Sequence, residues 1–155
     1  MIMEGKISLK STSQKLWDTL MEPKTLLACL PGAEKVERLD ERTYDCVVKQ
    51  KVGPISVRFK FKTILTKVEP PTHLEMEGEG EDIGKAGHFV QRTSIDLKEN
   101  ERGEVEVSYR CSANIVGKLA MFGDRILRAK AKKLEEEFTK ALEEKLKSTV
   151  SNSCK

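Results

Sequence analysis

The chain has 155 residues with 28 basic against 25 acidic side chains, a formal charge of +3, which excludes recruitment to nucleic acid by bulk charge. Charged residues make up 34% and aromatics 5%, the composition of a single globular domain with a core and a heavily charged surface. The four cysteines, Cys29, Cys46, Cys111 and Cys154, form no Cys-x-x-Cys pair and read as reduced, mostly buried small side chains rather than zinc or redox ligands.

The first ten residues, MIMEGKISLK, alternate and hold no continuous apolar run of the kind a signal peptide needs. No stretch approaches a membrane span, so a cytoplasmic location is expected. Met3, Gly5, Ile7 and Leu9 mark a half-buried strand. Ser11 with Gln14, or Ser13, supplies a helix cap. Gln14 to Met21 then reads as a short helix with Leu16, Trp17 and Leu20 buried. Pro23 suits a first helical position and opens a second short helix to Cys29. Leu30-Pro31-Gly32 ends it.

Six alternating runs follow, each closed by a polar or Gly/Pro break. They are Ala33 to Leu39, Thr43 to Val52, Ile55 to Val68, His73 to Asp82, one marked by Phe89 to Leu97, and one marked by Val105 to Ala113. Sequential hairpins in one antiparallel sheet are the natural topology. The last long segment, Gly117 to Lys147, carries Ala120, Gly123, Leu127, Ala131, Leu134, Phe138 and Ala141 at helical spacing. A second apolar row, Leu119, Phe122, Ile126 and Ala129, occupies only its first half, one stripe more than a covering helix needs. Gly123 reads as a point of close helix–sheet packing. A single domain over 1–147 and a flexible tail over 148–155 are expected.

The acidic run between Glu75 and Asp82 spaces its carboxylates about 7 Å apart along one edge, too far to wrap one ion. A hairpin over Pro70-Pro71 sets Lys62 near Glu79 and Lys60 near Glu81, so the run reads as a charge-paired outer face and not as a metal site. On the inner face the same strand has Gly78 and Gly80 where bulk is expected, either for a bend or to leave a cavity. Gln50, Gln91, Thr93 and Tyr109 also point inward and need partners, in a packed core or around a ligand. His73 and His88 lack an acid or nucleophile at motif spacing, and no phosphate-loop, dinucleotide or nucleophile-elbow pattern is present. Lys118, Arg125, Arg128, Lys130, Lys132 and Lys133 form a basic cluster on the exposed side of the helix.

Leu16-Trp17, the run Cys29-Leu30-Pro31-Gly32-Ala33-Glu34, Tyr44, Lys51-Val52-Gly53-Pro54-Ile55 and Gly117-Lys118-Leu119-Ala120 with Gly123 together resemble the G-subunit family of carbon monoxide dehydrogenase, over residues 3 to 146. The resemblance implies an α+β helix-grip (START-like, polyketide cyclase-like) fold: a seven-stranded curved antiparallel sheet around a long C-terminal helix, two short helices after the first strand, and an apolar cavity between. It also implies a non-catalytic accessory protein without a cofactor, associated with a molybdenum hydroxylase-type enzyme, carrying a lipid or quinone-like molecule. Some relatives extend past the helix toward a membrane; this chain ends soon after it, so membrane contact is at most peripheral. The expected ligand lining is Phe59, Phe61, Met76, Gly78, Gly80, Phe89, Gln91, Tyr109, Leu119, Phe122 and Ile126. The competing expectations are an enzyme acting on an apolar substrate, as among cyclase- or hydrolase-like relatives of the fold, and an assembly or recruitment factor using the basic helix face on a protein or membrane.

Overall fold

Strict apolar–polar alternation drives the chain into strands that bury one face and wet the other. A computed structural model describes the backbone of residues 1–153 and the side chains of residues 1–147. The elements are β1 (Ile2–Lys10), α1 (Ser13–Met21), α2 (Pro23–Cys29), β2 (Ala33–Arg38), β3 (Thr43–Val52), β4 (Ile55–Glu69), β5 (His73–Asp82), β6 (His88–Glu99), β7 (Glu104–Val116), a 3₁₀ turn (Lys118–Phe122) and α3 (Gly123–Ser153). The seven strands form one antiparallel sheet in the order β1-β7-β6-β5-β4-β3-β2. The six strands β2 to β7 follow as sequential hairpins, and β1 closes against β7. Register slips at Ala33/Lys35 and Leu65/Lys67 interrupt the ladders, and such bulges bend a sheet locally.

The order and the curved sheet gripping a long helix are as expected from the sequence, and two boundaries are corrected. Thr12 caps α1, its hydroxyl accepting from Lys15 N at 3.1 Å. Ser13 instead donates from its amide and hydroxyl to Glu99 at 2.7 and 2.8 Å, pinning the helix start to the end of β6. The long helix does not begin at Gly117. Gly117 and Gly123 both adopt positive φ, 95° and 79°, and they bracket the 3₁₀ turn before α3 starts. Gly123 has nothing within 4 Å of where a Cβ would stand, so backbone conformation, not close packing, calls for glycine there. Of the expected tail, 148–155, the backbone of α3 takes in 148–153, and Cys154 and Lys155 lie outside the described residues.

The main core joins Leu9, Leu16, Trp17, Leu97, Val105 and Leu142 with Leu146. It sits between α1, the C-terminal half of α3 and one end of the sheet. A smaller cluster of Val52, Val57, Ala86 and Leu119 lies at the other end, with Phe122 and Leu127 against it. Asp82 ties that end together. Its carboxylate accepts from Arg58 N at 2.8 Å and Ala86 N at 2.9 Å. Burial pushes its pKa up, but the backbone donors of Arg58, Ala86 and Gly84 outweigh that and hold it low.

The outer face carries the acidic run as a charge-paired surface. Lys62 faces Glu79 and Lys60 faces Glu81 in the ladder, as expected. The short ionic contacts differ: Glu77 meets Arg92 at 3.2 Å, Glu79 meets His88 at 3.2 Å, and Glu75 meets both His73 and Lys67. Among the described residues no cluster of His, Cys, Asp or Glu suits a metal ion.

His73 is held by two carboxylates, Glu75 and Asp96, each at 2.7 Å. The hydrogen bonds to Glu75 and then Asp96 raise its pKa above the ordinary 6.5. A raised folded value means the imidazolium stabilises the fold fully below about pH 6.5, and that contribution disappears as pH rises through the raised value. Thermal melting across pH 5 to 9 should therefore show a loss in that window which His73→Gln flattens; an unchanged slope in the variant would show that the pair is energetically idle.

Two apolar cavities form the candidate functional site

A long helix over a bent sheet can touch it closely at only one end. Leu142 and Leu146 of α3 are each 2% exposed. Toward the N-terminus, Leu127, Ala131 and Leu134 are only half-buried. Beneath them lies a cavity of about 330 Å³ lined by Val48, Val52, Phe59, Phe61, Phe89, Ile115, Leu119 and these helix residues. A second cavity, also about 330 Å³, opens between α1, α2 and the sheet. Leu20, Leu26, Val36, Cys46, Leu74, Met76, Ile95 and Phe138 line it. The two share Leu30, Phe61 and Gln91 as a common wall. A larger depression of about 670 Å³ lies on the outside, with Arg38, Asp40, Glu41 and Arg42 at its rim; its charged, open walls suit water rather than a buried ligand.

The polar groups that point inward largely satisfy one another. Gln91 Oε1 accepts from Thr93 Oγ1 and, at 3.9 Å, from Cys111 Sγ. Gln50 Nε2 donates to Pro31 O at 2.6 Å. Tyr109 OH donates to Glu135 at 2.5 Å and joins the sheet to α3. Burial, followed by that bond to Glu135, drives the phenol pKa well above its usual range. Burial lifts the Cys46 thiol to about 11, so it lines its cavity as a neutral, apolar group. Among the described residues no Asp, Glu or His lines either cavity.

A sequence model of the carbon monoxide dehydrogenase G-subunit family (CoxG) matches residues 5–147. The chain belongs to that family. No curated protein matches it. Among solved structures it is similar to a conserved protein from Geobacillus kaustophilus, at 26% identity and TM-score 0.90, covering 96% of this chain and 97% of that one. A START superfamily protein from Mycobacterium smegmatis superposes with TM-score 0.72 at 10% identity, covering 96% and 98%. A protein from Chromobacterium violaceum gives 0.68 at 17%, covering 91% and 94%. The last two likenesses concern the fold alone, and the fold is START-like.

The structure sorts the expected lining residues. Phe59, Phe61, Phe89, Gln91 and Leu119 line the cavity under α3, and Phe61, Met76 and Gln91 line the second. Gly78 and Gly80 do not widen either one. Gly78 lies beneath the side chain opposite it, where a Cβ would stand 2.6 Å from Gln91 Nε2, and Gly80 lies against the facing strand itself, where a Cβ would run into Phe61 Cβ and Cα. Tyr109 lies over Gly5 as Gln91 lies over Gly78, and is spent on Glu135. Phe122 packs near Gly53, outside the cavity, because the 3₁₀ turn takes it off the helix. Ile126 is 46% exposed and lines neither cavity.

The α1–α2 wall, Leu20, Leu26 and Leu30, together with Phe138, joins the site without a signal in the sequence that marks it as more than core. Lys130, expected on the exposed side, instead lines the cavity under α3. The stripe spacing of Leu127, Lys130, Ala131 and Leu134 is the signal that places it there.

The two inner glycines should behave differently when a methyl is added. Gly78→Ala meets only the side chain of Gln91, which can shift at the expense of its bonds to Thr93 and Cys111, so unfolding free energy should change by no more than about 1 kcal/mol. Gly80→Ala also meets Lys60 O at 2.5 Å, a backbone atom, and should cost about 1–3 kcal/mol. Denaturant melts of the two variants compare them directly, and equal costs would refute the assigned packing.

Proposed function

We propose that this protein binds a hydrophobic small molecule, lipid or quinone-like, in the paired cavities, and that it works as a non-catalytic accessory protein. The observation that carries the reading is the pair of apolar cavities with one shared wall. Each falls within the roughly 300–1,000 Å³ typical of small-molecule sites, with a few polar groups set in apolar walls. Covering apolar ligand surface contributes about 25 cal/mol per Å² before the costs of association. Membership of the CoxG family supports an accessory role beside a molybdenum hydroxylase-type enzyme.

An enzymatic reading needs an acid–base pair facing the substrate. Apart from Lys130, the polar lining offers amides, hydroxyls and thiols, most of the bonded ones held by one another or by backbone carbonyls, which favours binding over catalysis. Recruitment to a membrane surface is a second reading with an observation of its own. Met121 of the 3₁₀ turn is 85% exposed, and Ile83, Val116 and Ile126 are also exposed. Backbone contacts of Ala86 and Gly87 with Leu119 and Gly117 bring that turn beside the loop after β5. Exposed Lys85, Lys118 and Arg125 accompany these side chains, a composition suited to an anionic lipid surface. No described helix is long and apolar enough to cross a membrane.

Native mass spectrometry with organic extraction should recover an apolar molecule from the purified protein. Ala131→Phe, which fills the cavity under α3, should reduce that recovery at least about tenfold while the protein still melts cooperatively. Undiminished recovery from the folded variant would reject this cavity as the binding site. For the membrane reading, Met121→Glu should abolish co-sedimentation with vesicles containing phosphatidylserine; wild-type protein that never sediments would dispose of that reading.

A further inference from the structure

Lys130 is the one charged side chain among the described residues lining either apolar cavity. The other basic residues of this region, Lys118, Arg125, Arg128, Lys132 and Lys133, are exposed, whereas Lys130 is half-buried. Its neighbours at one helical turn in each direction are Ile126, Leu127, Lys133 and Leu134, so no carboxylate lies at ion-pair spacing on its own helix. No described carboxylate lies within 4.0 Å of its ammonium, since Lys130 enters no ion pair or hydrogen bond. Glu135, which also reaches toward the sheet, is engaged by Tyr109 OH instead. A lysine in this position lays its methylene stem along the apolar wall and keeps its ammonium at the water boundary. A half-buried cation on the wall of an apolar chamber, with no ion-pair partner among the described residues, is complementary to a molecule with an apolar tail and an anionic head.

We infer that the cavity under α3 takes an anionic amphiphile, a long-chain carboxylate, with its tail against Phe59, Phe89 and Leu127 and its head paired with Lys130. The inference rests on the apolar-ligand reading and narrows it to a charged head. Binding places the carboxylate where the ammonium already stands, so no unpaired charge is buried. A neutral molecule of the same length gains the tail burial but not the pair.

The test is isothermal titration of the full chain, freed of co-purifying lipid on a hydrophobic resin, with dodecanoate and with dodecan-1-ol at pH 8. The carboxylate is ionised at that pH. Wild-type protein should prefer dodecanoate by roughly fivefold or more, the scale of a partly exposed ion pair. Lys130→Met should erase the preference while holding dodecan-1-ol within about twofold of wild type, which also shows that the chamber is intact. Lys130→Arg should keep the preference. Equal preference in wild type and Lys130→Met, or none in wild type, overturns the head-group assignment while dodecan-1-ol binding sustains the apolar-ligand reading. Failure of both compounds to bind overturns the two together.

Discussion

The long helix has an apolar stripe that must be covered, and the sheet covers it fully at one end only. Leu142 and Leu146 are sealed into the main core with Leu9, Leu16 and Val105. Each such side chain contributes about 1.5–3 kcal/mol through burial. Leu127, Ala131 and Leu134 stand over space instead. A packed interior would fill that space, because voids forfeit dispersion contacts. The molecule therefore separates two demands along one helix: the C-terminal half holds the fold and the N-terminal half roofs a cavity.

The shape of the space is set by cross-strand partners more than by the size of inward residues. Three inward glycines, Gly5, Gly78 and Gly80, each face a larger residue across the ladder: Tyr109, Gln91 and Phe61. Tyr109 and Gln91 lie over their glycines, and at Gly80 the facing backbone of Lys60 and Phe61 comes close instead. Phe61 and Gln91 stand between the two chambers, lining both. Lying over Gly5, Tyr109 reaches Glu135 and joins sheet to helix. Phe89 packs edge-on against both Phe59 and Phe61, with centroids 5.2 and 5.6 Å away, a geometry that adds to area burial.

The fold was legible in the sequence because each strand alternates over its whole length and short breaks separate the runs. The register of β4 on β5 followed from the Pro70-Pro71 turn. The site was less legible for a definite reason. Periodicity says which face a residue takes but not whether its neighbour lies over it, so Gly78 and Gly80 looked like room when they were seats. The 3₁₀ turn is invisible to a helical template, since Leu119 and Phe122 continue the apolar spacing and only the positive φ of the two flanking glycines breaks it. Charge alone puts Lys130 in water, whereas its phase on the helix puts it over the cavity. Alternation and helical spacing make the α1–α2 wall core, and only the three-dimensional arrangement shows that Leu26 and Leu30 stop short of the opposite strands.

The two glycines that bracket the 3₁₀ turn share a backbone conformation but not an environment. A Cβ at Gly117 would stand 2.9 Å from Gly87 Cα and 3.0 Å from Ala86 O, whereas one at Gly123 would meet nothing. Both glycines also have ψ close to 180°, at −160° and 163°, a region that essentially only glycine occupies, so each joint calls for glycine by its backbone and the first by crowding as well. A side chain is thus barred twice at the joint leaving the sheet and once at the joint entering the helix, where open space around Gly123 does nothing to relieve the backbone that sets the direction in which α3 departs.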